Sequence, residues 1–186
     1  MRKPIRAHDA KPLRLPKNFC FACGQDNRQG MRLKFLVDEE GKRFLCRFRL
    51  AKRYTGPPGH AHGGIIATIL DEVMGKVNKL RHVVAVTAEM TVEYLKPVPL
   101  GKPLIAEAHE LRVRGRAHTN VGEIRNEKGE VLARGRGVFI AIDPHKMFKE
   151  HLKVDRNGIG VGMMRPLSAE NTLSPQRRRG TQRHRN

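Results

Sequence analysis

The residue types best suited to chemistry in this chain lie in GHAHGGIIATILDEVMG, residues 59–75. His62 is followed by Gly63 and Gly64. An apolar run at helical spacing then carries one carboxylate, Asp71, in its middle. The start of a helix presents unpaired backbone N–H groups and a partial positive charge. Glycine there lets a ligand approach the backbone closely. Such a place suits a carbonyl oxygen that gains negative charge during reaction. A carboxylate further along suits a general base or a nucleophile. Plainer roles stand beside these: His62 as a brace for the loop, and Asp71 as an ordinary helix-surface carboxylate. Ala67, Met74 and Gly75 around Asp71 are not the usual company of a solvated face.

These residues need elements to hold them. Ile65, Ile66, Ile69, Leu70, Val73 and Val77 recur at helical spacing and predict a helix over 64–79, with Asp71 nearly opposite the centre of the apolar face. Before it, MRLKFLV and RFLCRFRL alternate apolar and basic residues around the turn DEEGK, which predicts a hairpin over 31–50. TGPPGHAHGG is a loop by its glycine and proline content. Four strands follow: VVAVTAEMTVEYL, PLIAEAHELRVR, AHTNVGEIRN and VLARGRGVFIAI. In the first, Val86, Ala88, Met90, Val92 and Tyr94 alternate with Thr87, Glu89, Thr91 and Glu93. The last two are unusually rich in Gly and Arg for strands. The order is two strands, a helix and four strands. Its economical arrangement is an α+β fold, one curved antiparallel sheet wrapped around one central helix.

Composition narrows the classes. The chain has 186 residues and a net charge of +19. Residues 1–17 carry six Lys/Arg against one acid, and residues 149–186 carry nine against three. A basic, flexible N-terminal arm (1–17), a central domain (18–148) and a basic, disordered C-terminal tail (149–186) are the expected divisions. The tails suit contact with nucleic acid or another anionic surface, although no aromatic–basic interleaving sharpens that reading. No apolar run approaches the roughly 20 residues of a membrane span, and the N-terminus lacks the apolar stretch of a secretory signal. Cys20, Cys23 and Cys46 are odd in number, which fits a reducing cytoplasm. Cys20-x-x-Cys23 alone is a weak metal signal. Four ligands are usual for zinc, and only Cys46 and scattered histidines stand out as completing them, so no metal is expected.

Several motifs in order resemble one family. His62-Gly63-Gly64 is followed by Asp71 nine positions after the histidine, and Thr87 lies sixteen after the aspartate. With AVTAEMTVEYLKPVPLGKPL, RGRAHTNVGEIRNEKGEVLARGRGVFI and the N-terminal CFACGQDNRQGMRLKF, this set resembles the hotdog-fold acyl-CoA thioesterases of the PaaI-like, phenylacetate-pathway type. The resemblance covers residues 18–148. It implies a hotdog fold and hydrolysis of an acyl-CoA thioester to a free acid and CoA. Asp71 is then general base or nucleophile, the Gly64 N–H an oxyanion donor, His62 an orienting group and Thr87 the holder of the attacking water. Gly63, Arg116, Glu93, Lys96 and His118 are the implied substrate contacts, with Arg116 on the CoA phosphates. CoA belongs to the substrate, and no other cofactor is implied. Thr87 as a plain strand residue and Arg116 as a solvated charge are the competing roles. Where several relatives carry Asn or Gln six residues before the histidine, this chain has Gly56.

Helix geometry adds a constraint. Gly64 and Asp71 on one helix are roughly 10 Å apart along its axis. One thioester reaches both only if two chains supply them, so a homodimer or dimer of dimers is expected. Two other functions compete: an acyl-CoA sensor that binds without hydrolysis and whose basic tails contact nucleic acid, and a hotdog dehydratase.

Overall fold

Helix α1, Gly63–Val77, buries Ile66, Ile69, Leu70, Val73, Met74 and Val77. The computed structural model describes residues 17–38, 40–148, 152–154 and 160–162. Six strands form one antiparallel sheet: β1 (Leu36–Asp38), β2 (Arg43–Phe48), β3 (Val84–Tyr94), β4 (Leu104–Arg114), β5 (Ala117–Asn126) and β6 (Val131–Ile142). Their order across the sheet is β1-β2-β4-β5-β6-β3, and α1 packs on β2 through β6. This is the hotdog arrangement that the resemblance implied. A four-residue helix, α2 (Pro144–Met147), follows β6 behind an Asp143 cap. Strands β7 (Leu152–Val154) and β8 (Gly160–Gly162) pair as a separate two-stranded sheet. The rest of the expected C-terminal tail, and residues 1–16 of the expected arm, lie outside the described residues.

The glycines of β5 and β6 explain their odd composition. A Cβ on Gly122 would stand 3.0 Å from Met74 Cγ, and one on Gly135 would stand 3.0 Å from Met74 Cε. The strands are bare there because the Met74 side chain lies in the space. Met74 is fully buried, so it belongs to the core and not to the polar flank of Asp71. Asn120 on β5, also fully buried, donates through Nδ2 to the Met74 carbonyl at 2.8 Å and to Asn78 Oδ1 at 3.0 Å. That pins the last turn of α1 to the sheet and satisfies backbone that burial would otherwise leave costly.

The first expected strand is mostly overturned. Alternation in MRLKFLV predicts an extended run from Met31, but pairing begins only at Leu36. Arg32 sits at φ 51, a left-handed conformation that breaks a strand. The Met31 and Leu33 N–H groups donate to the Phe21 and Ala22 carbonyls instead, which fastens this segment to the cysteine-bearing turn.

Candidate active site

The helix start is built by its own loop. His62 is the N-cap of α1, and its Nδ1 accepts from the Gly64 N–H at 3.0 Å. Capping of this kind satisfies an orphan donor of the first turn. The Gly64 N–H is therefore already engaged, so a carbonyl arriving there meets the His62 ring. The His62 N–H donates to the Tyr54 carbonyl at 2.9 Å. Gly56 lies against the same residue: a Cβ at Gly56 would stand 2.7 Å from His62 Cα. An Asn or Gln at that position requires the loop to move, which gives the departure from the family pattern a steric reason.

Asp71 is half-buried on the side of α1 that faces β3. The Thr87 hydroxyl donates to Asp71 Oδ1 at 2.7 Å. Strict alternation along β3 places Thr87 on the opposite face from Met90, Val92 and Tyr94. The register shifts between Thr87 and Glu89, which leaves Ala88 as the extra residue of a β-bulge. Across the shift, Thr87 pairs with Phe139, Met90 with Gly137 and Tyr94 with Ala133. All of these lie on the helix-facing side, so the bulge turns Thr87 toward α1. Glu89 and Glu93 stay on the outer face.

β3 is an edge strand. No described residue pairs with its free side. Large apolar residues flank it in the open, with Val84 47%, Tyr94 55% and Leu95 45% exposed. The Tyr94 hydroxyl donates to the Gly63 carbonyl at 3.2 Å, and the ring lies 3.6 Å from where a Gly63 Cβ would be. Tyr94 thus covers the start of α1. Its place in an apolar alternation marks it as core, so sequence reasoning missed it.

The other expected contacts do not all gather here. Lys96 pairs with Glu130 across the β3–β6 end. Arg116 is exposed in the turn between β4 and β5, beside the β6 end that also pairs with the start of β3. It lies toward Thr87 and far from Tyr94. Glu93 points to the outer face, away from Asp71. His118 is only 4% exposed, with Nδ1 unpartnered and 3.7 Å from Glu110 Oε2, which buries it beneath any open substrate path.

A second cluster lies on the neighbouring face of α1. Cys20 Sγ, Cys23 Sγ and a Glu72 carboxylate oxygen all lie within 4.8 Å of one another. Lys76 Nζ donates to Glu72 Oε1 at 2.6 Å and to Cys23 Sγ at 3.1 Å. Burial and the Glu72 carboxylate push the Cys23 thiol up to about 11. Burial alone would raise the Glu72 carboxyl, but hydrogen bonds from Cys23 and Lys76 hold it below the usual range.

The sequence profile of the thioesterase superfamily matches residues 58–133, which span the His62 loop, α1, β3 and most of the sheet. The BH2602 protein from Bacillus halodurans, solved with CoA, is 30% identical; the match covers 59% of this chain and 74% of that one, with a TM-score of 0.53. The chain belongs to the thioesterase superfamily. Protein RHA08564, a thioesterase superfamily protein, is 30% identical with a TM-score of 0.63, over 66% of this chain and 60% of that one. Acyl-coenzyme A thioesterase THEM4 of Xenopus laevis is 32% identical over 104 residues, 55% of this chain and 47% of the relative. The chain spans about half the length of the THEM4 relatives it matches. Among the described residues, no helix is long and apolar enough to cross a membrane.

Proposed function

We propose that this thioesterase-superfamily chain hydrolyses the thioester of an acyl-CoA, with Asp71 as general base in a site shared by two chains. The observation that carries the reading is the 2.7 Å hydrogen bond from Thr87 to Asp71 beside an unpaired edge strand. The bond fixes Oδ1 and leaves Oδ2 free to take a proton. The Thr87 oxygen keeps a lone pair that can accept from the attacking water. The BH2602 structure with CoA and the acyl-coenzyme A thioesterases among the relatives supply the substrate class.

The two-chain arrangement follows from where the parts sit. Thr87 and Tyr94 lie roughly 20 Å apart along β3. An antiparallel partner paired to the free edge, with its two-fold axis near Met90 and Thr91, would set Thr87 of one chain across from Tyr94 of the other. The helix start of one chain then faces Asp71 of its partner, with Arg116 at the same end for the CoA phosphates. The substrate carbonyl takes the Gly64 N–H as the exposed His62 ring turns aside. Replacing that cap costs about 1 kcal/mol, less than the roughly 3–4 kcal/mol an oxyanion donor contributes. Asp71 removes a proton from water, the hydroxide adds to the carbonyl, and the tetrahedral oxyanion collapses. The C–S bond breaks, and the CoA sulfur leaves with the proton from Asp71.

A single turnover in ¹⁸O water tests the base assignment. Direct attack puts the label in the released acid and leaves the Asp71 peptide at its ordinary mass. Label in the Asp71 carboxylate would overturn the base reading in favour of an anhydride. Asp71→Asn should lower kcat by about 10²–10⁴-fold with acyl-CoA binding kept. An Asn variant of near-parental rate would remove Asp71 from the chemistry altogether.

A further inference from the structure

The proposed reaction makes no use of Cys20, Cys23 or Glu72, yet the fold gathers them from segments fifty-two residues apart. The two thiols sit on a tight turn. The Gly24 N–H donates to the Cys20 carbonyl at 2.9 Å, and a Cβ on Gly24 would stand 2.5 Å from that oxygen. Only glycine closes the turn that aims both sulfurs at α1. The third donor comes from α1 itself, one residue after Asp71.

We propose that Cys20, Cys23 and Glu72 form a zinc site that fastens the N-terminal turn to α1. The distances suit that ion. Zn–S of about 2.3 Å and Zn–O of about 2.0–2.2 Å at tetrahedral angles give an S···O edge of about 3.5–3.7 Å. Cys20 Sγ and Glu72 Oε2 are 3.6 Å apart. Lys76 takes the other carboxylate oxygen, Oε1, so the ammonium and the metal do not compete for one atom. Two thiolates and a carboxylate around a dication leave one negative charge, and Lys76 cancels it. Its bond to Cys23 Sγ is the outer contact that holds a thiolate ligand in place. The fourth vertex falls to water. The thiols release their protons as the metal binds, so uptake frees protons to solution.

Cobalt substitution reads this directly. The full chain, stripped with a chelator and given one equivalent of Co²⁺, should show tetrahedral d–d bands and thiolate-to-cobalt charge transfer, and Zn²⁺ should bleach both. Cys20→Ser and Cys23→Ser should each reduce the charge-transfer band. Glu72→Gln should weaken Zn²⁺ by more than the about 10–100-fold that outer contacts contribute. Cys46→Ser should leave the cobalt bands unchanged, because Cys46 is buried within β2 away from the cluster, although the buried hydroxyl lowers stability. Should a cysteine variant fail to fold, alkylation of the parent protein decides: Zn²⁺ should slow labelling of Cys20 and Cys23. Absence of tetrahedral cobalt bands, bands that survive both cysteine changes, or thiols that Zn²⁺ leaves unprotected would each overturn the site.

Discussion

If the helix start and Asp71 of one site come from different chains, two inactive variants should restore each other. Asp71→Asn removes the proton acceptor. Gly64→Val removes the other half, because its branched side chain would fill the space beside the Gly64 N–H that the carbonyl must enter, where even a Cβ would stand 3.2 Å from His62 Nδ1. The two positions are seven residues apart, roughly 10 Å along one helix, so one thioester cannot span them within a chain. In a mixed dimer one site carries both lesions and the other carries neither. Refolding an equal mixture gives about half mixed dimers by random pairing, each with one of two sites intact. About a quarter of parental activity should therefore return, measured as CoA thiol release. Matching size and melting curves for each parent variant are the control. With that met, a refolded mixture as inactive as its parents would place the whole site in one chain and end the shared-site mechanism.

Two further outcomes follow from single contacts. Thr87→Ala strips a charged acceptor of a hydrogen bond worth about 1.5–3 kcal/mol, so kcat should fall between about tenfold and a hundredfold, less than for Asp71→Asn; a change confined to KM would make Thr87 a binding residue only. Met74→Ala should cost about 2–5 kcal/mol in urea unfolding, in the upper half of that range because Gly122 and Gly135 have no side chains to refill the space; a loss below about 1 kcal/mol would mean that the groove collapses.

Much of the fold is legible in the sequence because period and punctuation agree. The apolar spacing from Ile65 to Val77 marks α1, and the four later strands fall within about two residues of their expected limits. What escapes is what depends on a single residue's backbone or on distant partners. Arg32 ends the alternation of MRLKFLV by turning left-handed, which no side-chain pattern announces. His118 reads as a polar strand residue near a basic cluster, but register turns it inward toward α1. Glu72 completes the cysteine cluster only through tertiary packing. Asp71 and Thr87 are found at their motif spacing, yet simple alternation sends Thr87 to the wrong face.

The bulge at Ala88 makes β3 a strand of two phases. Residues 84–87 and 89–94 keep separate registers against β6, so each half can change length or sequence without rotating the other. Deleting Ala88 would leave Thr87 next to Glu89 in a regular ladder, still paired with Phe139 and still facing α1. Ironing out the bulge with Ala88 kept would instead slide residues 84–88 by one, set Ala88 against Phe139 and turn Thr87 away from Asp71. Across descendants of this fold, a one-residue gap here would keep the Asp–Thr pair, and the lineages that must recruit a different water-holding group would be those that keep the residue and lose the bulge. In this strand the register against β6, more than its length, therefore decides whether a hydroxyl faces the helix.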